Sequence, residues 1–538
     1  MRKIESIFII VSLLAVITIT GGTIWKHAIK SDQTTVHSFP ATKFGAFLAA
    51  QHAIYINDFE SAENFTDILT DVEYPIVQSS VYISDFLSGR LPINAESLKN
   101  EKSMPARIIY DAYLVKNNKW KDFHNRHKTD DTALLAPLRI WSAIANDWRT
   151  NTFKFIDKLP TNKSWKAFVR GQIYAELGDT SKAAEYFEKV TSDFMNINDY
   201  MYIMSFYKHH NMPEKASALR EDFTARPGGM FMADFEDFPD WSVYSGKTNA
   251  LAFSLIQNVS HTQIMMYTDL AMLLLRFVQV TAPEFAKTNN TLDYYLGQYF
   301  YNNVGDYNKY FSKISDNSPF YPFARLRMAE KNNDLDAIEE ILDKYPMFIP
   351  AVNKVIANHI KHGNKRAALH IVKHALDNNS LGEIGRAYFI KHRAQINFAF
   401  GDIKNAQKDI HEVSKTQMID ADIISLQAKI WAAQNRELEN AYDYAMGLVR
   451  QNPTDILAWD TLGYVVSVRE GIDAALELLE RVGEISETCS SLYVNLGDMY
   501  AAIGDIDKAL AAYKRAIDLS DDGLTVVPDV ERKIRKLK

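Results

Sequence analysis

An all-α fold, a solenoid of stacked helix hairpins preceded by one amino-terminal apolar helix, is the class this sequence predicts. Three observations carry it. Gly463 and Gly497 lie 34 residues apart with the same residue types around each. Helix-favouring residues dominate a chain of 538 positions that holds only 22 glycines and 16 prolines, and no strand-like alternation is sustained. Ile7 to Trp25 is a run of nineteen uncharged, mostly apolar residues. A chain this long exceeds one compact core, but a solenoid needs none, because each hairpin contacts only its neighbours.

The best-preserved unit can be read from its residues. From Leu492 to Ile503 the large apolar side chains return every three or four positions, the period of one buried helical stripe. Gly504 can take the left-handed conformation that ends a helix, and Asp505 is suited to cap the next one, which runs to about Leu519. Small residues at Gly497 and Ala509 let the two backbones approach. In order, Tyr493, Leu496, Gly497, Tyr500, Gly504, Ala509, Tyr513 and Ala516 match Trp459, Leu462, Gly463, Val466, Gly471, Ala475, Leu479 and Val482. This pattern resembles the tetratricopeptide repeat, whose period is about 34 residues. The resemblance implies a right-handed superhelical solenoid and a protein-binding role.

The same grammar extends towards the amino terminus. Ala441, Ala445 and Pro453 mark the second helix of another unit, Gly401-Asp402 and Ala406 a fourth, Gly363, Ala368 and Ala375 a fifth, and Asp336 and Ala337 a sixth. Gly171, Tyr174, Gly178, Ala183, Phe187 and Val190 hold the family positions in one clear early unit. A weaker copy spans Phe44 to Leu69 with Asn57-Asp58 at its turn, and another pairs Tyr207 with Ala216. Residues 80–160 read as helices of less regular length. From Ala225 to Asn249 two prolines, three glycines, several acids and exposed-looking aromatics break the pattern. The expected organisation is therefore a signal-anchor or transmembrane segment at 1–30, a linker at 31–40 and an amino-terminal array at 41–224. A loop or insertion follows at 225–260, then divergent repeats at 261–345, the carboxyl-terminal array at 346–520 and a capping helix at 521–538. Within the apolar stretch Met265 to Val280, Asp269 and Arg276 argue for a buried helix and against a membrane span.

The leader points to a membrane. As a helix its nineteen residues span about 28 Å, close to the roughly 30 Å of a bilayer core. Arg2 and Lys3 precede it, Lys26 and Lys30 follow it, and no small-x-small cleavage site is evident. An uncleaved anchor with Lys30 onward exported is the preferred reading, and a cleaved periplasmic protein the alternative.

No catalytic constellation, cofactor site or metal site is predicted. Ser245-Gly246-Lys247-Thr248 resembles the end of a phosphate loop, but its first glycine would have to stand at Trp241. His370 and His374, with His359 and His362 nearby, lack an HExxH pattern and fall on an outer helix face. Asp234, Glu236, Asp237 and Asp240 lack the spacing of a calcium loop. A net charge of −7 speaks against nucleic acid, and the single Cys489 excludes an internal disulfide. In the carboxyl-terminal DVERKIRKLK, Val530, Ile534 and Leu537 can cover the last repeat while the cations face water.

The resemblance also implies where a partner would sit, because first helices of tetratricopeptide hairpins line the concave groove. On this chain that face would hold Trp165, Phe168 and Gln172, and then Leu426, Ile430, Asp460, Tyr464, Val494 and Asp498. These are not the lysines and asparagines of the family's carboxylate-clamp subgroup, so an apolar or basic helical segment is the expected occupant. The overall plan resembles uncharacterised envelope repeat proteins of alphaproteobacteria. It implies a non-enzymatic scaffold at the bacterial inner membrane with its repeats in the periplasm. The alternative is an accessory subunit or regulator of an envelope polysaccharide or lipid synthesis enzyme.

Overall fold

The computed structural model describes residues 42–130, 135–261, 268–288, 290–303, 305–378, 381–416, 420–485, 489–519 and 527–538. The leader Ile7 to Trp25 and the linker 31–40 lie outside them. The chain divides into a small unit ending at Ser84 and a large one, Asp85–Lys538. Every regular element among the described residues is helical. None of these helices is long and apolar enough to cross a membrane.

The small unit holds α1 (Lys43–Tyr55), α2 (Phe59–Asp67) and most of α3 (Pro75–Leu87). Thr42 caps α1 by accepting from Gly45 N–H, and Asp58 caps α2 by accepting from Ser61 N–H. Ala46, Ala50 and Ala53 put small side chains on the inner face of α1, so α2 packs close, and Leu69 and Val81 complete the core.

In the large unit, α4 (Met104–Lys116) to α11 continue the antiparallel pairing: α5 (Trp120–His127), α6 (Ala136–Ile144), α7 (Arg149–Lys158), α8 (Lys163–Glu176), α9 (Thr180–Phe187), α10 (Ile197–His209) and α11 (Pro213–Thr224). One turn device recurs. At Gly178 (φ 76°) and Gly504 (φ 84°) the chain goes left-handed, and the next residue is an aspartate. Asp179 N–H reaches back to Tyr174 carbonyl (2.9 Å), and Asp505 N–H to Tyr500 carbonyl (2.9 Å), while both side chains cap the following helix. The same turn forms at Asn57-Asp58 and Asn333-Asp334, where asparagine tolerates the left-handed region.

The segment expected as a loop or insertion at 225–260 is largely helical in its second half. Short 3₁₀ turns at Met230–Asp234 and Trp241–Val243 lead into a fifteen-residue helix, α12 (Lys247–His261). Ten consecutive residues of α12, from Ala250 to Val259, are buried. A helix covered on all sides carries no amphipathic stripe, so periodicity could not reveal it. Nor are the aromatics exposed: Phe231, Trp241 and Tyr244 are buried. Trp241 packs edge-on against Tyr202 (5.1 Å) and Phe206 (5.3 Å) of α10. The stretch is an aromatic wedge between hairpins.

Beyond it run α13 (Thr268–Thr281), α14 (Pro283–Thr288), α15 (Thr291–Asn302), α16 (Asn308–Phe311), α17 (Tyr321–Asn332), α18 (Leu335–Lys344), α19 (Ile349–Lys361) and α20 (Lys365–Leu376). Arg276 of α13 is buried and donates to Gln279 (2.6 Å) and the Tyr310 hydroxyl (3.0 Å). The carboxyl-terminal hairpins are α21 (Glu383–Ala399) with α22 (Ile403–Val413), α23 (Ala421–Ala433) with α24 (Leu438–Gln451), α25 (Ile456–Arg469) with α26 (Ile472–Ile485), and α27 (Ser490–Ile503) with α28 (Ile506–Asp518). The last helix, α29 (Val530–Leu537), buries Val530 and lays Ile534 and Leu537 on the final core. The array curls until Asp529 N–H donates to Lys361 carbonyl at the end of α19 (3.4 Å).

One buried charge cluster makes the amino-terminal hairpins pH-sensitive. His127, 1 % exposed, lies between Asp111 (2.9 Å) and Asp130 (2.7 Å). Burial alone would depress its pKa, but the Asp111 charge and hydrogen bonds to both carboxylates outweigh that and raise it to about 9. A histidine held above its unfolded value stabilises fully below pH 6.5, and the gain is lost as pH rises through about 9. Thermal unfolding is therefore expected to shift down between pH 7 and 9.5, and His127→Gln should flatten that slope.

Candidate protein-binding surface

The inner face of the carboxyl-terminal array is built from first helices and held by a polar ladder. Lys391 of α21 donates to Asp420 (2.8 Å) and Asp422 (3.0 Å) at the start of α23. Lys429 of α23 donates to Asp460 of α25 (2.8 Å). Asp460 also accepts from Ser491 (2.8 Å) and Asn495 (2.6 Å) of α27, so one carboxylate ties three hairpins together. Its side chain is fully buried, and all three hydrogen bonds go to its charged carboxylate. Cys489 lies beside this cluster. Burial, and then the Asp460 charge, push its thiol up to about 11, which leaves it a poor nucleophile.

The residues expected to line an open groove are largely removed from solvent. Trp165, Phe168, Gln172, Leu426, Ile430, Asp460 and Val494 are buried. Phe168 packs on Phe253 of the buried helix α12 (6.1 Å), and Gln172 accepts from Ser254 (3.3 Å). Tyr464 is half-buried and meets Phe398 of α21, two hairpins away, at 6.2 Å. Only Asp498 is exposed, and it is engaged by Tyr513 (2.6 Å) and by Lys533 of α29 (2.6 Å). In this structure the seven buried residues pack against the protein's own side chains.

Several large apolar side chains of the carboxyl-terminal hairpins are open to solvent. Tyr444 of α24, Val468 at the end of α25, and Ile503 and Ile506 flanking the α27–α28 turn are large apolar side chains exposed by 37 to 51 %. Tyr444 is backed by Trp431 of α23 (5.1 Å). Ile503, which closes the apolar stripe of its helix in sequence, is exposed here because it stands at the helix end beside the Gly504 turn. Between α17 to α19 and the carboxyl-terminal segment lies a cavity of about 870 Å³, whose lining mixes Arg327, Lys354 and Arg535 with Glu330, Asp529 and Glu531.

The motifs weighed for other chemistry find structural roles. Gly246 N–H donates to the Glu176 carboxylate (2.9 Å) and Lys247 sits over the Trp120 ring (5.0 Å), an arrangement that sets an acid where a phosphate would be. His370 and His374 are exposed on α20. Among the described residues no group of three potential metal ligands forms. Asp240 caps the turn at Ser242 N–H (2.8 Å).

No curated protein matches the sequence. Solved structures similar to this chain include the APC/C hetero-tetramer Cut9–Hcn1, at 11 % identity and a TM-score of 0.30 over 93 % of this chain and 96 % of that one. Yeast Tom70 is similar at 12 % identity and a TM-score of 0.22 over 92 % of this chain and 94 % of that one. Sequence comparison with protein families is more local and more specific. Residues 168–192 and 490–522, the α8–α9 and α27–α28 hairpins, match the tetratricopeptide repeat.

Proposed function

We propose that the protein is a non-enzymatic scaffold, tethered to or exported across a bacterial inner membrane, that assembles protein partners in the cell envelope. The tetratricopeptide match on two hairpins is the observation that carries the scaffold reading, because such hairpins stack into extended binding surfaces. The apolar run Ile7 to Trp25 supports the tether. Partners engage the exposed apolar side chains Tyr444, Val468, Ile503 and Ile506, and an apolar or basic helix suits them. Affinity capture of the full chain from membranes in mild detergent is expected to recover the same partner in independent preparations. Recovery of no reproducible partner overturns the scaffold. Protease digestion of the repeats in intact cytoplasm-facing vesicles overturns the periplasmic placement.

A further inference from the structure

A cavity of about 520 Å³ is formed by α5, α6 and α7 of the large unit. Its volume falls in the range of roughly 300 to 1,000 Å³ used for small organic ligands. Buried Ile140, Phe155 and Leu159 give it apolar walls. The lining also includes the half-exposed Trp148, whose ring is met edge-on by His124 at 4.4 Å. An exposed indole beside apolar walls offers a ready face for the body of a ligand.

The charges in the lining have one sign. Lys128 follows α5, Arg139 lies on α6, and Lys154 and Lys158 stand one turn apart on α7. Among the described residues no carboxylate lines the cavity, although acids outnumber lysines and arginines in the chain by 67 to 60. Arg139 is held by the Asp130 carbonyl (2.8 Å) and lies over the Phe155 ring (4.0 Å), so its charge is fixed in place. Lys128, Lys154 and Lys158 are exposed, and among the described residues none of them forms an ion pair or a side-chain hydrogen bond. Like charges one helical turn apart repel, so the α7 pair gains nothing for the helix by itself. The positive field reaches inside. Burial, and then the charges of Lys128 and Arg139, hold the lining residue His124 below the usual histidine pKa. A field that opposes a proton there favours an anion.

We propose that this cavity binds a phosphate monoester with an apolar body, its phosphoryl oxygens taken by Lys128, Lys154 and Lys158 and its body laid against Trp148. Three mobile ammonium groups match the three acceptor oxygens and near-double charge of a phosphoryl group better than the two oxygens and single charge of a carboxylate. The proposal does not rest on partner capture by the carboxyl-terminal hairpins. The phosphoryl group is common to soluble esters and to lipid headgroups, and the experiment separates them. The full chain in non-ionic detergent is titrated calorimetrically with phenyl phosphate, with benzoate and with dihexanoyl phosphatidate. Saturable binding of phenyl phosphate is expected, with benzoate weaker by roughly tenfold or more, the worth of one charge-assisted hydrogen bond. Tighter binding of the phosphatidate assigns the site to a lipid headgroup and tighter binding of phenyl phosphate to a soluble ester, and either result supports a phosphoryl site. Lys154→Gln with Lys158→Gln should weaken the tighter phosphate by roughly tenfold or more. Lys404→Gln with Lys408→Gln makes the same change of net charge on α22, on two exposed lysines also one turn apart, and should leave binding nearly unchanged. All four side chains are exposed, so circular dichroism melts should match the parent's. Should the α7 variant melt early, Lys128→Gln decides the matter by weakening the phosphate severalfold in an intact fold. No saturable binding of either phosphate, equal binding of phenyl phosphate and benzoate, or equal weakening by the two lysine pairs overturns the proposal.

Discussion

Gly497→Val is expected to open the last hairpin of the array, at a cost of about 3 kcal/mol or more. A Cβ at this position would meet the Tyr513 ring at 2.5 Å, inside any tolerated contact. The ring cannot swing aside freely, because its hydroxyl donates to Asp498 (2.6 Å) and the residue is 3 % exposed. Helix propensity acts the other way, since replacing a mid-helix glycine by alanine gains about 1 kcal/mol. The clash wins, so even Gly497→Ala should destabilise. Solenoid stability is local, so the loss should show as faster amide exchange in 490–518 while α4 to α6 keep their protection. Tyr513→Ala in the Gly497→Ala background should cost clearly less than the two single substitutions summed, a coupling of about 1 kcal/mol or more. Equal exchange in parent and Gly497→Val would refute the packing described here.

Asp460→Ala is expected to be as damaging, for an electrostatic reason. The substitution strips Lys429, Ser491 and Asn495 of their common acceptor and leaves an ammonium only 16 % exposed without its counter-charge. Removing one member of a buried ion pair costs about 3 to 5 kcal/mol, whereas replacing both by apolar residues of similar volume is often neutral. Asp460→Leu combined with Lys429→Met should therefore recover most of what Asp460→Ala loses in chemical denaturation. A double variant no better than the single one would show that the ladder is not the tie between α23, α25 and α27.

These two positions also show what the residues disclose before folding. The 34-residue period carries an inner spacing: Gly171 and Phe187, Gly463 and Leu479, and Gly497 and Tyr513 each stand 16 apart. In the structure each glycine faces that later side chain, where a Cβ would approach to 2.3 to 2.5 Å. Gly297 and Phe311 repeat the contact at 2.3 Å. Such contacts lie within one hairpin and are local enough to read. The left-handed residue followed by a capping aspartate is equally local. Burial of α12 was not readable, because its ten covered residues are buried by α6 and α8, distant in sequence, as well as by the following helix α13. Asp460 and Val494 looked like groove residues because helix register fixes a face, while the packing of that face depends on several hairpins at once. Tyr464 touching Phe398 across two hairpins is such a long-range consequence.

The most direct test of the scaffold is capture with its exposed apolar side chains altered. Full-length protein carrying Tyr444→Asp, Val468→Asp and Ile503→Asp replaces side chains that are 39 to 51 % exposed, so its unfolding midpoint should stay close to the parent's. Its recovery of the partner, quantified beside the parent, should fall by roughly tenfold, as loss of an interface hot spot does. Equal recovery by the folded triple variant would contradict partner binding through these side chains.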